Sequence, residues 1–491
     1  MEIFSSPLVK SVLIVTGGLV YLAILALCAW WFARRPADAM SLMMAVAPLE
    51  VISVYKGITL KPFLLLFPAV VAGIAWHDRD RLLRRPEWTS WDWCILSCMG
   101  AMVLSCLFAY SPMQAVRMTV QLGIVFAVCI GTTRLISDRK ELERYLKFFT
   151  WSAVAVCGYA FWQAAGYFLG FPSQPLLALA RRNPTLPRML VEPGAIVFSQ
   201  GMSVVRVSGT FFDWNIFSAY LVIVLSLFLV YAWRGLLRGN LSGKVYWGWI
   251  GLVAIWLLTF SRSGWLGGVA AVVALVGFGF PIGRLARKYL VFIGVVAVIC
   301  IVAQINPIGM VARRVKQSLT GERSVVEHAY YGLAALEMLR NHPLTGVGIH
   351  NYSSVYQAQF NPNLPGATAH SGFLSIFAEM GLIGGVIFVF TYLVVLHRLW
   401  TAQRGLAVHD PDGLLLRGIL AATVGLGVCN LFYHFWTQLF LWCFFAFAVA
   451  AANVIEGSTV RNLSGKTDKI ALQGDDESRT LSPEIGGATG G

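Results

Sequence analysis

Arg262 stands in the string Thr259-Phe260-Ser261-Arg262-Ser263-Gly264-Trp265, in the middle of an almost wholly apolar stretch, residues 246–280. That stretch is long enough for two membrane helices of about 20 residues each, so the turn between them must fall near Arg262. A guanidinium at a helix end in a membrane holds an anion or lines a polar cavity. Two further strings carry reactive side chains. One is Arg206-Val207-Ser208-Gly209-Thr210-Phe211-Phe212-Asp213-Trp214-Asn215. The other runs from His342-Pro343-Leu344-Thr345-Gly346-Val347-Gly348-Ile349-His350-Asn351-Tyr352 through Ala369-His370-Ser371-Gly372-Phe373-Leu374 to Glu379-Met380-Gly381-Leu382-Ile383-Gly384-Gly385. Arginine stays charged in a low-dielectric site and pairs bidentately with oxyanions. Histidine is the side chain matched to moving a proton near neutral pH.

The elements that must position these residues are membrane helices. Of 491 residues, 57% are hydrophobic and 13% charged, whereas a soluble chain carries about 25% charge. The expected fold is therefore all-α and polytopic. Helices are read at about 9–33, 41–54, 62–76, 93–110, 115–133, 147–169, 214–233, 246–260, 263–280, 288–304, 371–397, 415–433 and 436–455. The second and third are short enough to be one broken span or a re-entrant pair, so about 12 or 13 spans are expected and the side of the N-terminus stays open. The first apolar run is too long for a cleaved signal core and reads as a retained helix. The nine cysteines all fall in apolar runs and read as small buried hydrophobes. No Cys/His spacing suggests zinc. No acidic pair in the outer loops has metal-ligand spacing, so chemistry without a metal or other cofactor is the simpler expectation.

The net charge of +14 does not point to nucleic acid, because the Lys and Arg residues sit in short loops between apolar runs. Loops with Arg79, Arg81, Arg84 and Arg85; with Arg134, Arg139, Lys140, Arg144 and Lys147; with Arg234, Arg238 and Lys244; with Arg284, Arg287 and Lys288; and with Arg398, Arg404 and Arg417 all count to one side. That side is the cytoplasm by the positive-inside rule. The Arg262 turn and two long loops, 170–213 and 305–370, then lie on the outer face, and long loops in compact bundles are more often functional than connective. In the second loop, Ser324-Val325-Val326-Glu327 reads as a capping box. An apolar stripe follows at Val325, Ala329, Leu333 and Leu336, and Pro343 and a Gly-Val-Gly turn end the helix. The pattern fits a helix on the outer membrane surface. Three segments are expected: 1–199 with the N-terminal helices, a core at 200–455 that includes the loop 305–370, and a polar tail, 456–491, disordered on the cytoplasmic side.

The ordered set of strings resembles the O-antigen ligase and polymerase superfamily of membrane glycan transferases, in motif detail over about residues 200–390. The resemblance implies transfer of a glycan from an undecaprenyl-diphosphate carrier to a sugar hydroxyl of a glycan or lipid A–core acceptor. It implies a multi-pass protein of the bacterial inner membrane with its active site facing the periplasm. It also implies diphosphate binding by Arg206 and Arg262 and assistance of the acceptor by His370. The physical chemistry agrees: fixed guanidinium groups stabilise the charge that develops on a departing diphosphate, and an imidazole takes the proton of the attacking hydroxyl.

Other residues are read from their positions. Arg117 lies inside the fifth helix near its outer end, where a cation needs an anion or a cavity; it is a third candidate for the diphosphate. Asn215, His350, Tyr352 and Glu379 are candidate substrate contacts, with Glu379 orienting a partner such as an Arg. Arg313, Arg314 and Lys316 read as facing lipid phosphates or solvent. Gly381, Gly384 and Gly385 read as close helix packing. The rival class is a transporter or flippase of a lipid-linked or anionic substrate. It would show internal repeats and mid-membrane binding residues, neither of which is evident. Ligase and polymerase need the same site and are not separated by these residues.

Overall fold

A computed structural model describes residues 7–50, 54–55, 58–59, 61–77, 88–169, 195–197, 203–211, 213–237, 243–279, 323–363, 368–407 and 409–458. Helices dominate: α1 Pro7–Arg34, α2 Pro36–Val46, α3 Pro62–His77, α4 Ser90–Leu107, α5 Pro112–Leu135, α6 Arg139–Leu169, α7 Trp214–Leu237, α8 Gly243–Leu258, α9 Arg262–Gly277, α10 Arg323–Asn341, α11 Tyr352–Gln359, α12 Gly372–Arg404, α13 Pro411–Phe432 and α14 Leu439–Ser458. Among the described residues six are long and apolar enough to cross a membrane, namely α4, α5, α7 (over 214–233), α12, α13 and α14. Parts of α1 and α3, with α2, α8 and α9, are shorter apolar helices. This is the all-helical, multi-pass architecture that the composition requires. Two short antiparallel hairpins accompany it, β1 Val54–Tyr55 with β2 Ile58–Thr59 and β3 Ala195–Val197 with β4 Ser203–Val205. The helix read at 288–304, most of the loop 170–213, Arg79 to Arg85, Arg238, Arg284 to Lys288, Arg313 to Lys316, Cys300 and the tail lie outside the described residues, as do the capping-box side chains at 324–327.

Ion pairs collect the basic helix ends on one face. Asp38, buried in the first turn of α2, accepts from Arg144 Nη1 at 2.8 Å and faces Arg35 at 3.9 Å. Thr89 and Asp92 cap α4 reciprocally, and buried Asp92 faces Arg134 at 3.6 Å. Arg139 bonds Asp412 at 2.5 Å. Helix α6 starts at Arg139 rather than near 147, because Asp138 and Glu141 cap it: the Glu141 N–H donates to Asp138 Oδ1 at 2.8 Å and the Ser137 N–H to Glu141 Oε2 at 2.8 Å. Hydropathy alone misplaces that start, since a charged first turn looks like loop. Arg417 also differs from its reading as a loop cation. It is 4% exposed and folds back from α13 to donate to the Leu406 and Ala407 carbonyls at 2.8 and 3.2 Å, closing the end of α12 as cations close helix C-termini.

The short pair α2 and α3 is resolved by its neighbours. Helix α2 leaves the Arg-rich face and ends where the Thr210 hydroxyl donates to the Pro48 carbonyl at 2.8 Å and the Glu50 N–H to the Thr210 carbonyl at 3.3 Å. Helix α3 returns from there, parallel to α1: the Tyr21 hydroxyl donates to the Leu65 carbonyl at 2.8 Å, and Gly73 packs against Phe32. The pair therefore reaches the face opposite the arginines, and α1 starts on that opposite face.

Lipid tails are as apolar as leucine, so these helices associate through close packing and small residues rather than hydrophobic transfer. At the centre, Gly267 of α9 meets Gly425 of α13 so closely that a Cβ on Gly267 would sit 2.7 Å from the Gly425 carbonyl oxygen. Helix α14 is buried almost throughout, among α13, α5 and the aromatic residues Phe126, Tyr145 and Phe388.

Candidate functional site

The face opposite the basic helix ends gathers the three strings. The first piece is the turn between α8 and α9. Phe260 takes φ 47°, a left-handed conformation that costs a non-glycine residue energy and that clusters at functional sites. Arg206 holds this turn: its Nε donates to the Thr259 carbonyl at 3.0 Å, its Nη2 to the Phe260 carbonyl, and its guanidinium lies 4.5 Å from the Trp214 ring centre. Ser261 caps α9 by accepting the Gly264 N–H at 3.3 Å, which makes half-buried Arg262 the first residue of that helix. A guanidinium at a helix N-terminus combines a full charge with the positive end of the helix dipole, a suitable place for an oxyanion. Gly264 admits the neighbouring helix: a Cβ there would lie 1.8 Å from Ser218 Oγ of α7.

The second piece is the turn 343–352, clamped onto a break in α12. Gly381, at φ 65° and ψ −166°, interrupts the helix. The freed backbone pairs with the turn: Val347 and Gly348 N–H donate to the Ala378 and Glu379 carbonyls at 3.0 and 2.9 Å, and Leu382 and Ile383 N–H to the Pro343 and Leu344 carbonyls at 2.8 and 3.3 Å. Gly346, at φ 67°, fits because a Cβ would sit 2.3 Å from the Glu379 carbonyl carbon. Gly381 is thus a hinge of hydrogen bonds rather than the helix-packing residue the sequence suggests. Gly384 and Gly385 instead lie against the Met380 and Phe377 side chains of their own helix.

Glu379, 3% exposed, accepts the Tyr352 N–H at 3.2 Å and is also bonded by the His350 backbone. Among the described residues its partners are the turn's own amides and not an arginine. Tyr352 is 2% exposed, and its hydroxyl donates to the Tyr331 carbonyl at 2.7 Å. It belongs to a small core with Tyr331, Ala334, Ala335, Met338 and Tyr356 rather than to an open surface. The expected stripe on α10 faces away from this core, with Leu333 and Leu336 exposed. His350 is exposed, at φ 61°, within electrostatic reach of Lys61 and His434.

The third piece is His370, half-buried at φ 50°. Its ring centre lies 5.1 Å from that of Tyr331 and 5.7 Å from that of Tyr433. The next turn is closed by the Gly372 N–H donating to the Tyr433 carbonyl at 3.2 Å, and Ser371 caps α12. Tyr433 Oη donates to Asp213 Oδ2 at 2.6 Å, while Asp213 Oδ1 caps α7 through the Asn215 and Ile216 N–H groups at 2.6 and 3.3 Å. The Asn215 side chain and the Arg206 charge also act on the Tyr433 phenol. Burial, then the Asp213 carboxylate, raises that phenol well above its ordinary value, so it remains a donor. Burial, then the field of His350, lowers His434 to about 3, so that imidazole is neutral.

The structure therefore brings Arg206, Arg262, Asn215 and His370 to one face, linked through Asp213 and Tyr433. Arg117 is exposed on α5 beside exposed Met113, Val116 and Val120 and has the setting of a snorkelling cation. Sequence reading missed Tyr433, His434 and the buried pair Lys61–Glu50 at 3.4 Å. Tyr433 and His434 sit between two apolar helices like ordinary interfacial aromatics, and nothing in their local pattern sets them apart. Among the described residues no three His, Cys, Asp or Glu side chains converge as metal ligands.

No curated protein matches the chain. Residues 247–389 match a family model described as O-antigen ligase. The matched stretch, in which the chain is similar to that family, contains the Arg262 turn, the clamped 343–352 turn, His370 and the Gly381 break.

Proposed function

We propose that the chain moves a glycan from an undecaprenyl-diphosphate carrier to an acceptor sugar hydroxyl at the periplasmic face of a bacterial inner membrane. The family match supports glycan transfer of the O-antigen ligase and polymerase type in general. The observation that supports the finer reading is that one face gathers the Arg206-braced turn that presents Arg262 with His370, whose neighbour Tyr433 is bonded to Asp213 at the start of α7. In this reading the acceptor oxygen attacks the anomeric carbon as the bond from that carbon to the diphosphate breaks. The hydroxyl proton passes to His370. The charge left on the diphosphate is stabilised by Arg262 at the α9 N-terminus and by Arg206. Attack opposite the leaving group inverts the anomeric centre, and NMR of the product linkage showing retention would refute this. His350 and Asn215 face the glycan. Arg117 takes the carrier phosphates as they approach from the lipid.

Arg262→Ala and His370→Ala leave the protein inserted and reduce transfer by about 10²-fold or more. Arg262→Lys remains impaired because the bidentate fork is lost. The assay is glycan assembly in a complemented null strain, and normal assembly with either alanine variant overturns the roles. The size of stranded lipid-linked glycan in the deletion strain separates the two activities. Long carrier-linked chains with bare acceptor indicate a ligase, and single repeats with loss of long chains indicate a polymerase.

A further inference from the structure

His370 sits in a conformation its own segment does not favour. A non-glycine residue at φ 50° is held there only when its surroundings over-determine it. Two arms do so. On one side Glu379 fixes the Tyr352 amide, the Tyr352 hydroxyl fixes the Tyr331 carbonyl, and the Tyr331 ring covers the imidazole. On the other side stands Tyr433, which belongs to the α13–α14 connection and lies beyond the matched stretch. Its carbonyl accepts the Gly372 N–H at 3.2 Å, its ring lies 5.7 Å from the imidazole, and its hydroxyl is anchored on Asp213 at 2.6 Å. Gly372 can approach because it carries no side chain: a Cβ there would meet Asn430 Oδ1 at 2.0 Å. Asp213 in turn caps α7 and follows the segment of Arg206.

We infer that Tyr433 is a positioning residue for His370, with its hydroxyl tethered by Asp213, so that the acceptor-side imidazole is set in place by the segment that carries the donor-side Arg206. This rests on the glycan-transfer reading. Freeing the tether lets the phenol ring turn and leaves the imidazole with one fixed neighbour instead of two, while the bonds of Arg206 to the Thr259 and Phe260 carbonyls are kept. Orientation of a proton acceptor acts on the chemical step rather than on donor binding.

The test uses the full-length protein in detergent or proteoliposomes, with a polyprenyl-diphosphate oligosaccharide as donor. Tyr433→Phe keeps the ring and removes the tether. Its kcat is expected to fall about tenfold or more, with the donor KM within about twofold and an unchanged melting temperature. Asp213→Asn retains an acceptor for the α7 amides and a polar partner for the phenol, and is expected to keep most of the activity. Asp213→Ala loses it. In the Asp213→Ala background Tyr433→Phe costs nothing further, because both changes break the same bond. Tyr433→Phe with wild-type kcat, or losses that multiply in the double variant, overturn the inference while His370→Ala still abolishes transfer. Wild-type transfer by His370→Ala overturns instead the reading of the histidine on which the inference stands.

Discussion

Gly264→Ala tests whether the placement of Arg262 matters to better than an ångström or two. The added Cβ would stand 1.8 Å from Ser218 Oγ and 2.5 Å from Ser218 Cβ, where ordinary contact begins at 3.4 Å. Helix α9 must therefore yield by about 0.9 Å against α7 if the Ser218 hydroxyl turns away, and by about 1.6 Å if it does not. One turn on, Gly267 already touches Gly425 and Cys429 of α13, so the contact is tight along this face of the helix. Overpacking of this kind costs about 1–3 kcal/mol, which a large bundle survives. The first turn of α9 moves with the shift, and Arg262 is its first residue. A misplacement of about 1 Å costs on the order of 10²-fold in rate when geometry is limiting. The expected result is a membrane-inserted protein with transfer reduced about 10²-fold. Ser218→Gly removes both clashing atoms, at a helix-propensity cost of about 1 kcal/mol, and in the double variant should recover most of the loss. The assay is in vitro transfer beside expression and melting temperature. Near-wild-type transfer by Gly264→Ala, or a loss that Ser218→Gly leaves untouched, would refute the argument that this contact sets the guanidinium.

Gly381→Ala asks whether the break in α12 is needed. The residue sits at φ 65°, and a Cβ would lie 2.3 Å from the Leu344 carbonyl carbon. The strain is about 1–3 kcal/mol, and the 343–348 turn should detach, seen as new protease sensitivity between α10 and α12; an unchanged digestion pattern would count against the clamp. His434 gives a pH dependence. Its folded pKa of about 3 lies below the ordinary 6.5, so as pH falls from 6.5 towards 3 the unfolded chain takes up a proton that the folded chain refuses. Stability therefore falls with pH in that window, by at most about 1.4 kcal/mol per unit. His434→Asn should flatten that part of a melting-temperature profile, and an identical slope would mean that the imidazole titrates normally.

Much of this protein is legible without coordinates. Apolar runs and the sidedness of arginine define a multi-pass helical bundle, because hydrocarbon tolerates only segments that satisfy their own backbone. The same logic marks Arg262 and His370, since charge and imidazole at helix ends on one face carry a cost that function must justify. Three strings far apart in the chain could be placed on one face by counting spans alone. The side-chain roles within them could not. Glu379 looks like a buried carboxylate awaiting a cation, yet it binds amides of a turn that closes on it only because α12 breaks at Gly381. Tyr352 looks like a substrate contact, and packing against Tyr331 and Tyr356 makes it core. Tyr433 and Asp213 are 220 residues apart. No local pattern predicts that a phenol at one helix end meets a carboxylate at another. Periodicity and charge are properties of short segments and survive in the sequence. Which buried donor meets which acceptor depends on how α7, α12 and α13 cross, and only the assembled bundle decides that.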